Sequence, residues 1–150
     1  MKVINEMKLS FWSKSINESF ARSAVSAFIL QTDPTITELA DIKTAVSEAV
    51  TNCIVHAYQN KSGIIYIDAC ILDTGKIIIK VKDKGCGIEN IKQAMEPMFT
   101  TAGGERAGLG FAVMQNFMDK IRVNSTPGKG TTVTMEKLII RCGGYIDEQG

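Results

Sequence analysis

Ser47-Glu48-Ala49-Val50-Thr51-Asn52 is followed about thirty residues later by Asp83-Lys84-Gly85-Cys86-Gly87. On an α-helix, residues four apart stand one turn above each other, so Glu48, Asn52 and His56 form one row. Ile42, Ala45, Val46, Ala49 and Cys53 form an apolar stripe on the opposite face. The first stretch therefore predicts a helix that buries one side and lines up a carboxylate and a carboxamide on the other. Such a pair suits a metal ion with a nucleophile polarised beside it. In the second stretch, an Asp at a strand end can accept from a donor on a flat base, while the glycines let the backbone come close. Together the two stretches read as a nucleotide site.

Working outward, Asp33-Pro34 is a breaker and Thr35-x-x-Glu38 a capping box, so the helix with Glu48 and Asn52 opens there and runs to about Tyr58. Ser15-Ile16-Asn17-Glu18 has the same capping spacing. Phe20, Ala24, Val25, Ala27 and Phe28 then supply the stripe of a first helix of roughly four turns. Residues 7–13, with Phe11 and Trp12, have strand character. Residues 64–72 and 76–82 read as two strands joined by Asp73-Thr74-Gly75, a hairpin connection. A short helix over 88–95 is closed by Pro97, and the small residues of 99–108 make a candidate lid. Helical spacing returns over 109–118, and strands at 120–124 and 131–140 flank the turn Thr126-Pro127-Gly128-Lys129-Gly130. Residues 141–150 have no period and read as a loose tail behind a domain spanning 1–140. This order predicts an α+β fold: a two-layer sandwich whose mixed, mostly antiparallel sheet is covered on one face by helices.

At 150 residues one domain can bury a core without staples. With 17 basic and 16 acidic residues the net charge is +1, which offers no overall field for nucleic acid or an anionic membrane. Cys53, Cys70, Cys86 and Cys142 lack C-x-x-C spacing and there is a single histidine, so neither a disulfide framework nor a zinc site is favoured. The polar interruptions at the N-terminus do not fit a signal peptide, and no run reaches membrane-spanning length. The expectation is a soluble protein of the reducing cytoplasm.

Each glycine feature has a plain alternative when taken alone. Asp83-x-Gly85-x-Gly87 is also an ordinary Asp-Gly turn. Gly108-Leu109-Gly110 entering a helix offers amides and a dipole to an anion, and is equally a loop joined to a helix. Gly130-Thr131-Thr132 needs only β propensity. His56 reads as a capping or packing residue, and Cys86 as a small buried thiol. The order of all five features changes the weights: acid and amide helix, Asp-x-Gly-x-Gly strand end, glycine-rich loop, Gly-x-Gly into a helix, Gly-Thr-Thr into a strand.

In that order the residues resemble the ATP-binding fold shared by gyrase, Hsp90, histidine kinases and MutL. Asn17-Glu18-Ser19-Phe20-Ala21-Arg22, Ser47 to Asn52, Phe99-Thr100-Thr101 and Asn116-Phe117-Met118-Asp119 are similar to the sporulation members of its anti-sigma serine kinase branch, over roughly residues 5–140. The resemblance implies that Asn52 coordinates the Mg²⁺ bridging the triphosphate of ATP, that Asp83 receives the adenine amino group, and that Thr132 supports that contact. Glu48 is then the base that draws the proton from a partner's serine. The resemblance also implies nucleotide contacts from Gly85, Gly87, Thr100 and Thr101, phosphates held by the amides around Gly108, Leu109 and Gly110, and terminal-phosphate charge neutralised by Arg106.

The family grips a sporulation sigma factor and an anti-anti-sigma antagonist through the region of Glu18 and Arg22. The local alternative stays open there, with Glu18 completing a capping box and Arg22 pairing with it. The resemblance implies a homodimer, for which an edge strand near residues 7–13 would serve, and nucleotide-dependent (ATP or ADP) choice of partner. It implies no direct contact with nucleic acid or membrane. The rivals are a nucleotide-dependent binding module without phosphoryl transfer and a histidine kinase catalytic domain; the second lacks an upstream helical hairpin with a phospho-accepting His. The lid is more glycine-rich than is usual in the family.

Overall fold

A computed structural model of the chain describes residues 1–95 and 105–140, without the side chains of residues 105–109. Five strands form one sheet: β1 (Val3–Trp12), β2 (Ile64–Leu72), β3 (Lys76–Asp83), β4 (Lys120–Thr126) and β5 (Gly130–Leu138). Their order across the sheet is β1-β2-β3-β5-β4, and every pairing is antiparallel. The expected α+β two-layer architecture is present, with helices on one face.

Period-two alternation decides which face is covered. Ile65, Ile67, Ala69 and Ile71 of β2, with Ile77, Ile79 and Val81 of β3, are buried at 1% exposure or less. Against them lie helices α1 (Ile16–Ile29), α2 (Ile36–Asn52) and α4 (Glu105–Phe117), and α2 packs between the other two. The helical stripe Ile42, Ala45, Val46, Ala49 is buried as its spacing predicts, and Val50 widens it. A four-residue helix, α3 (Ile91–Ala94), completes the layer. The chain is not carried through to Tyr58 as regular α-helix, because Cys53–Ala57 forms a wider π-helical turn.

The capping box at Thr35 is formed: Glu38 N donates to Thr35 Oγ1 at 3.0 Å and Thr35 N to Glu38 Oε1 at 2.9 Å. Thr35→Ala is expected to cost about 1 kcal/mol and to lower the melting temperature by about 2–4 °C, read by thermal unfolding.

The matching box at Ser15 is not formed. Ser15 already has helical backbone angles (φ −58°, ψ −32°), so its hydroxyl makes no capping bond, and Glu18 N donates to the Ser15 carbonyl instead. α4 starts at Glu105, so part of the expected lid is helical; Glu105, Arg106 and Ala107 are compatible with helix, and an acid suits its positive end. α3 is shorter than expected because Ile88 continues the glycine turn, its N–H donating to Ser125 Oγ at 2.7 Å. The remainder of the lid, with Thr100 and Thr101, and the tail 141–150 lie outside the described residues.

Candidate functional site

The inward row of β3 runs Ile77, Ile79, Val81, Asp83, so alternation delivers a carboxylate to the core face at 4% exposure. Oδ1 of Asp83 accepts two backbone N–H groups, from Gly85 at 2.9 Å and from Thr131 at 3.2 Å. The Cys53 thiol lines the same cavity and lies close enough to this carboxylate to act on its charge. Burial pushes the Asp83 carboxyl above its ordinary value, and the two amides and the thiol offset part of that rise. The Cys53 thiol is itself pushed well up, first by burial and then by the neighbouring carboxylate.

A cavity of about 230 Å³ opens over Asp83. α2 and the π turn supply Ala49, Asn52, Cys53, His56 and Ala57; the glycine turn supplies Cys86, Gly87 and Ile88; Ala94, Phe111, Thr131 and Val133 close it. Its walls are largely apolar, with the buried carboxylate as the polar anchor. Ligand sites commonly fall between ~300 and ~1,000 Å³, so a space of this size suits a base and part of its sugar, with phosphates further out.

The glycine turn is locked onto the π turn. Cys86 N donates to Ala57 O at 3.0 Å, and a Cβ on Gly85 would collide with that same carbonyl. Gly87 has φ +76°, a left-handed conformation that other residues resist. Tyr58 braces the approach: its hydroxyl donates to Ile64 O at 2.6 Å and accepts from Lys84 N at 2.7 Å.

Asn52 lies on the cavity wall, and its Nδ2 is buried with no hydrogen-bond partner among the described residues. Gly110 of α4 lies against it; a Cβ there would stand 3.1 Å from both Nδ2 and Oδ1. A carboxamide so placed can offer an oxygen to a hard cation and N–H groups to phosphate oxygens. Among the described residues no group of three or more His, Cys, Asp or Glu could hold a metal ion. The single carboxamide oxygen of Asn52 suits the way Mg²⁺ is commonly held, through few protein ligands together with water and substrate phosphates. Glu48 is half-buried one turn before Asn52 and outside the lining of the cavity.

Several expected residues are placed differently. Thr132 pairs with Lys82 and, by alternation, faces away from Asp83; Thr131 pairs with Asp83 and occupies the place expected for Thr132. Counting two-residue steps along β5 would have found it. Cys86 is exposed, not buried, with Sγ donating to His56 O at 3.4 Å. Arg106, Gly108 and Leu109 lie in the first turns of α4, their side-chain placement outside the described residues. Cys53 and Phe111 were not expected at the site; both are apolar-stripe residues whose faces point into the same space. Away from the cavity, Arg22 Nη1 pairs with Glu18 Oε1 at 3.1 Å and donates to Ser47 Oγ at 3.3 Å, tying α1 to the residue before Glu48.

Comparison with known proteins places this geometry. The histidine kinase-like ATPase domain family matches residues 11–137. The anti-sigma F factor of Caldanaerobacter subterraneus subsp. tengcongensis is 64% identical over 142 residues, covering 94% of this chain and 99% of the relative. That of Clostridium kluyveri is 55% identical, covering 89% and 94%. Among solved structures, the RsbU and RsbW domains of a Mycobacterium tuberculosis protein superpose with a TM-score of 0.69 at 19% identity. The match covers 92% of this chain, which spans 33% of that one. The histidine kinase domain of a blue-light activated kinase from Erythrobacter litoralis gives 0.54 at 19% identity over 81% of this chain and 60% of its own. At these identities the two structures speak to fold alone.

Proposed function

The chain belongs to the anti-sigma F factors, within the histidine kinase-like ATPase domain family, and from that premise we propose that it is an ATP-dependent serine kinase that also sequesters a sporulation sigma factor. The observation that carries the nucleotide part is Asp83, a buried carboxylate at the floor of an apolar cavity with one oxygen already satisfied by two amides. Its remaining acceptor capacity suits the amino group of adenine. Thr131 supports the carboxylate, and Gly85 and Gly87 let the base approach the backbone.

In this reading Asn52 holds Mg²⁺ together with the phosphates of ATP, and the ion supplies neutralisation of their charge. Gly108, Leu109 and Gly110 offer backbone amides to the phosphates, Thr100 and Thr101 contribute contacts to the nucleotide, and Arg106 neutralises charge on the terminal phosphate. Glu48 takes the proton from the partner's serine hydroxyl as its oxygen bonds the γ-phosphorus. The bond from that phosphorus to the β–γ bridging oxygen breaks, and ADP leaves. Standing outside the base cavity yet one turn from Asn52, Glu48 has the separation from the base that this role needs.

The phosphorylated partner is the anti-anti-sigma antagonist. Glu18 and Arg22 serve both partners: their mutual ion pair at the surface contributes little on its own, about 0–1 kcal/mol, so local stability is a weak reason for the arrangement. The protein works as a cytoplasmic homodimer without direct contact to nucleic acid; among the described residues β1 is an edge strand, with one side open for pairing. Among the described residues no helix is long and apolar enough to cross a membrane.

The test is to incubate the protein with Mg²⁺ and γ-labelled ATP, with and without a serine-bearing antagonist, and to follow the label. Label on the antagonist's serine is expected. ATP binding without transfer would leave sequestration alone, and no nucleotide binding would overturn the site.

A further inference from the structure

Asp83, Thr131 and Ser125 stand side by side across three strands. Thr131 pairs with Asp83 on one side and with Ser125 on the other, so the three side chains share the helix-covered face of the sheet. Ser125 Oγ makes three contacts: it accepts from Ile88 N at 2.7 Å, reaches Gly130 O at 3.1 Å, and lies 2.8 Å from Thr131 Oγ1. A serine hydroxyl has one hydrogen to give and two lone pairs. The amide of Ile88 can only donate, and the carbonyl of Gly130 can only accept. One arrangement alone puts a hydrogen in every contact: Ser125 gives its own to Gly130, and Thr131 gives its own to Ser125. Thr131 lines the cavity, and its hydroxyl is then left with lone pairs alone.

We propose that Ser125 is a positioning residue for base recognition: by holding the hydroxyl hydrogen of Thr131, it keeps that oxygen an acceptor beside the Asp83 carboxylate. This rests on the adenine-nucleotide reading and deepens it. The amino group of a purine carries two hydrogens, and neighbouring residues then offer it two acceptors. Without Ser125, the Thr131 hydroxyl is free to turn its hydrogen towards the carboxylate and so take up an acceptor position that the base would use. The plain alternative is that Ser125 only fastens the glycine turn to the β4–β5 hairpin, through Ile88 N and Gly130 O. The two accounts differ in one respect: a fastening holds any nucleotide alike, whereas the polarity of the Thr131 hydroxyl matters only to a ligand with an amino group.

The experiment measures binding of ADP and of purine riboside 5′-diphosphate, which lacks only the amino group. The proteins are the wild type, Ser125→Ala, Ser125→Thr, Thr131→Val and the Ser125→Ala, Thr131→Val double variant, with thermal unfolding of each as the control for folding. Ser125→Ala is expected to weaken ADP about three- to tenfold, the scale of one hydrogen bond, and the deaminated analogue less than about twofold. Ser125→Thr, which keeps a hydroxyl, is expected to restore most of the preference for ADP. Thr131→Val, which leaves the bonds of Ser125 to Ile88 and Gly130 in place, should erode that preference by a similar factor. In its presence Ser125→Ala should erode it no further, because the group it acts through is gone. Equal losses for both ligands in Ser125→Ala, or the same erosion with and without the Thr131 hydroxyl, would overturn the proposal and leave a fastening role. A wild type that binds both ligands equally would overturn it while leaving the nucleotide site standing. Failure of the wild type to bind ADP would overturn the nucleotide reading and this inference with it.

Discussion

Glu48→Ala is expected to slow phosphoryl transfer ~10²–10⁴-fold, the usual contribution of a general base, while leaving ATP affinity largely unchanged. The separation of the two effects follows from position. Glu48 is on α2 but outside the lining of the base cavity, so its removal takes nothing from the floor formed by Asp83. Alanine is the strongest helix former, and the buried face of α2, from Ile42 to Val50, is untouched. Single-turnover transfer of labelled phosphate, set beside equilibrium binding of ATP, reads both quantities. Undiminished turnover would remove Glu48 from the mechanism, and a parallel loss of binding would make it a structural residue.

Asp83→Asn should act in the opposite sense, weakening adenine nucleotides by about 10²–10³-fold while the unliganded protein keeps or gains stability at neutral pH. The amide oxygen of the new residue can still accept from Gly85 and Thr131, which turns its NH₂ towards the cavity, donor against the donor of adenine. The stability claim follows from burial. Because the folded state raises the Asp83 pKa, the unfolded chain gives up its proton first as pH rises from the acid side. Stability from this group therefore falls between the unfolded pKa and the raised folded one, and stays at the lower level above it. Asn carries no such penalty. Thermal unfolding near pH 7 with and without ADP tests both halves: the variant should melt no lower than wild type when free, and should show no shift with ADP. A lower melting temperature of the free variant would mean that the carboxylate is chiefly structural.

A carboxyl whose charged form is disfavoured by burial, yet which sits at 4% exposure, is more easily understood as a functional than a structural choice. That contrast also explains what was legible in the sequence. The strands at 64–72 and 76–82, the helix opened by Thr35 and the apolar stripe of α2 rest on local periodicity and side-chain chemistry, which act over a few residues. Asp83 was legible because the Asp-x-Gly-x-Gly pattern marks it at a strand end; that it faces the core follows from the alternation of β3 seen in the structure. Where tertiary context decides, local spacing misleads. Ser15 has the right neighbour in Glu18, but helical backbone angles at the serine deny it the cap. Thr131 and Thr132 are chemically equivalent, and only the pairing of Thr131 with Asp83 separates them. Cys86 looked like a core thiol among glycines, yet its turn lies on the surface, held by bonds to the π turn that no pattern announces. Over Cys53–Ala57 the α-helical spacing expected from the sequence gives way to a wider turn, closed by Tyr58 N donating to Cys53 O at 2.9 Å.

The lock between the glycine turn and that wide turn bears on how the molecule opens. Cys86 N is bound to Ala57 O, Gly128 N to Cys86 O at 2.7 Å, and Thr131 N to Asp83, so the glycine turn donates to the π turn and accepts from the β4–β5 hairpin and from β5. A loop tied in this way is expected to exchange its amides more slowly than a free surface loop, since its bonds to the π turn and to the β4–β5 hairpin must part first. The floor of the site is thereby anchored to its neighbours, and hydrogen exchange of these amides, compared with and without nucleotide, reads whether it stays fixed.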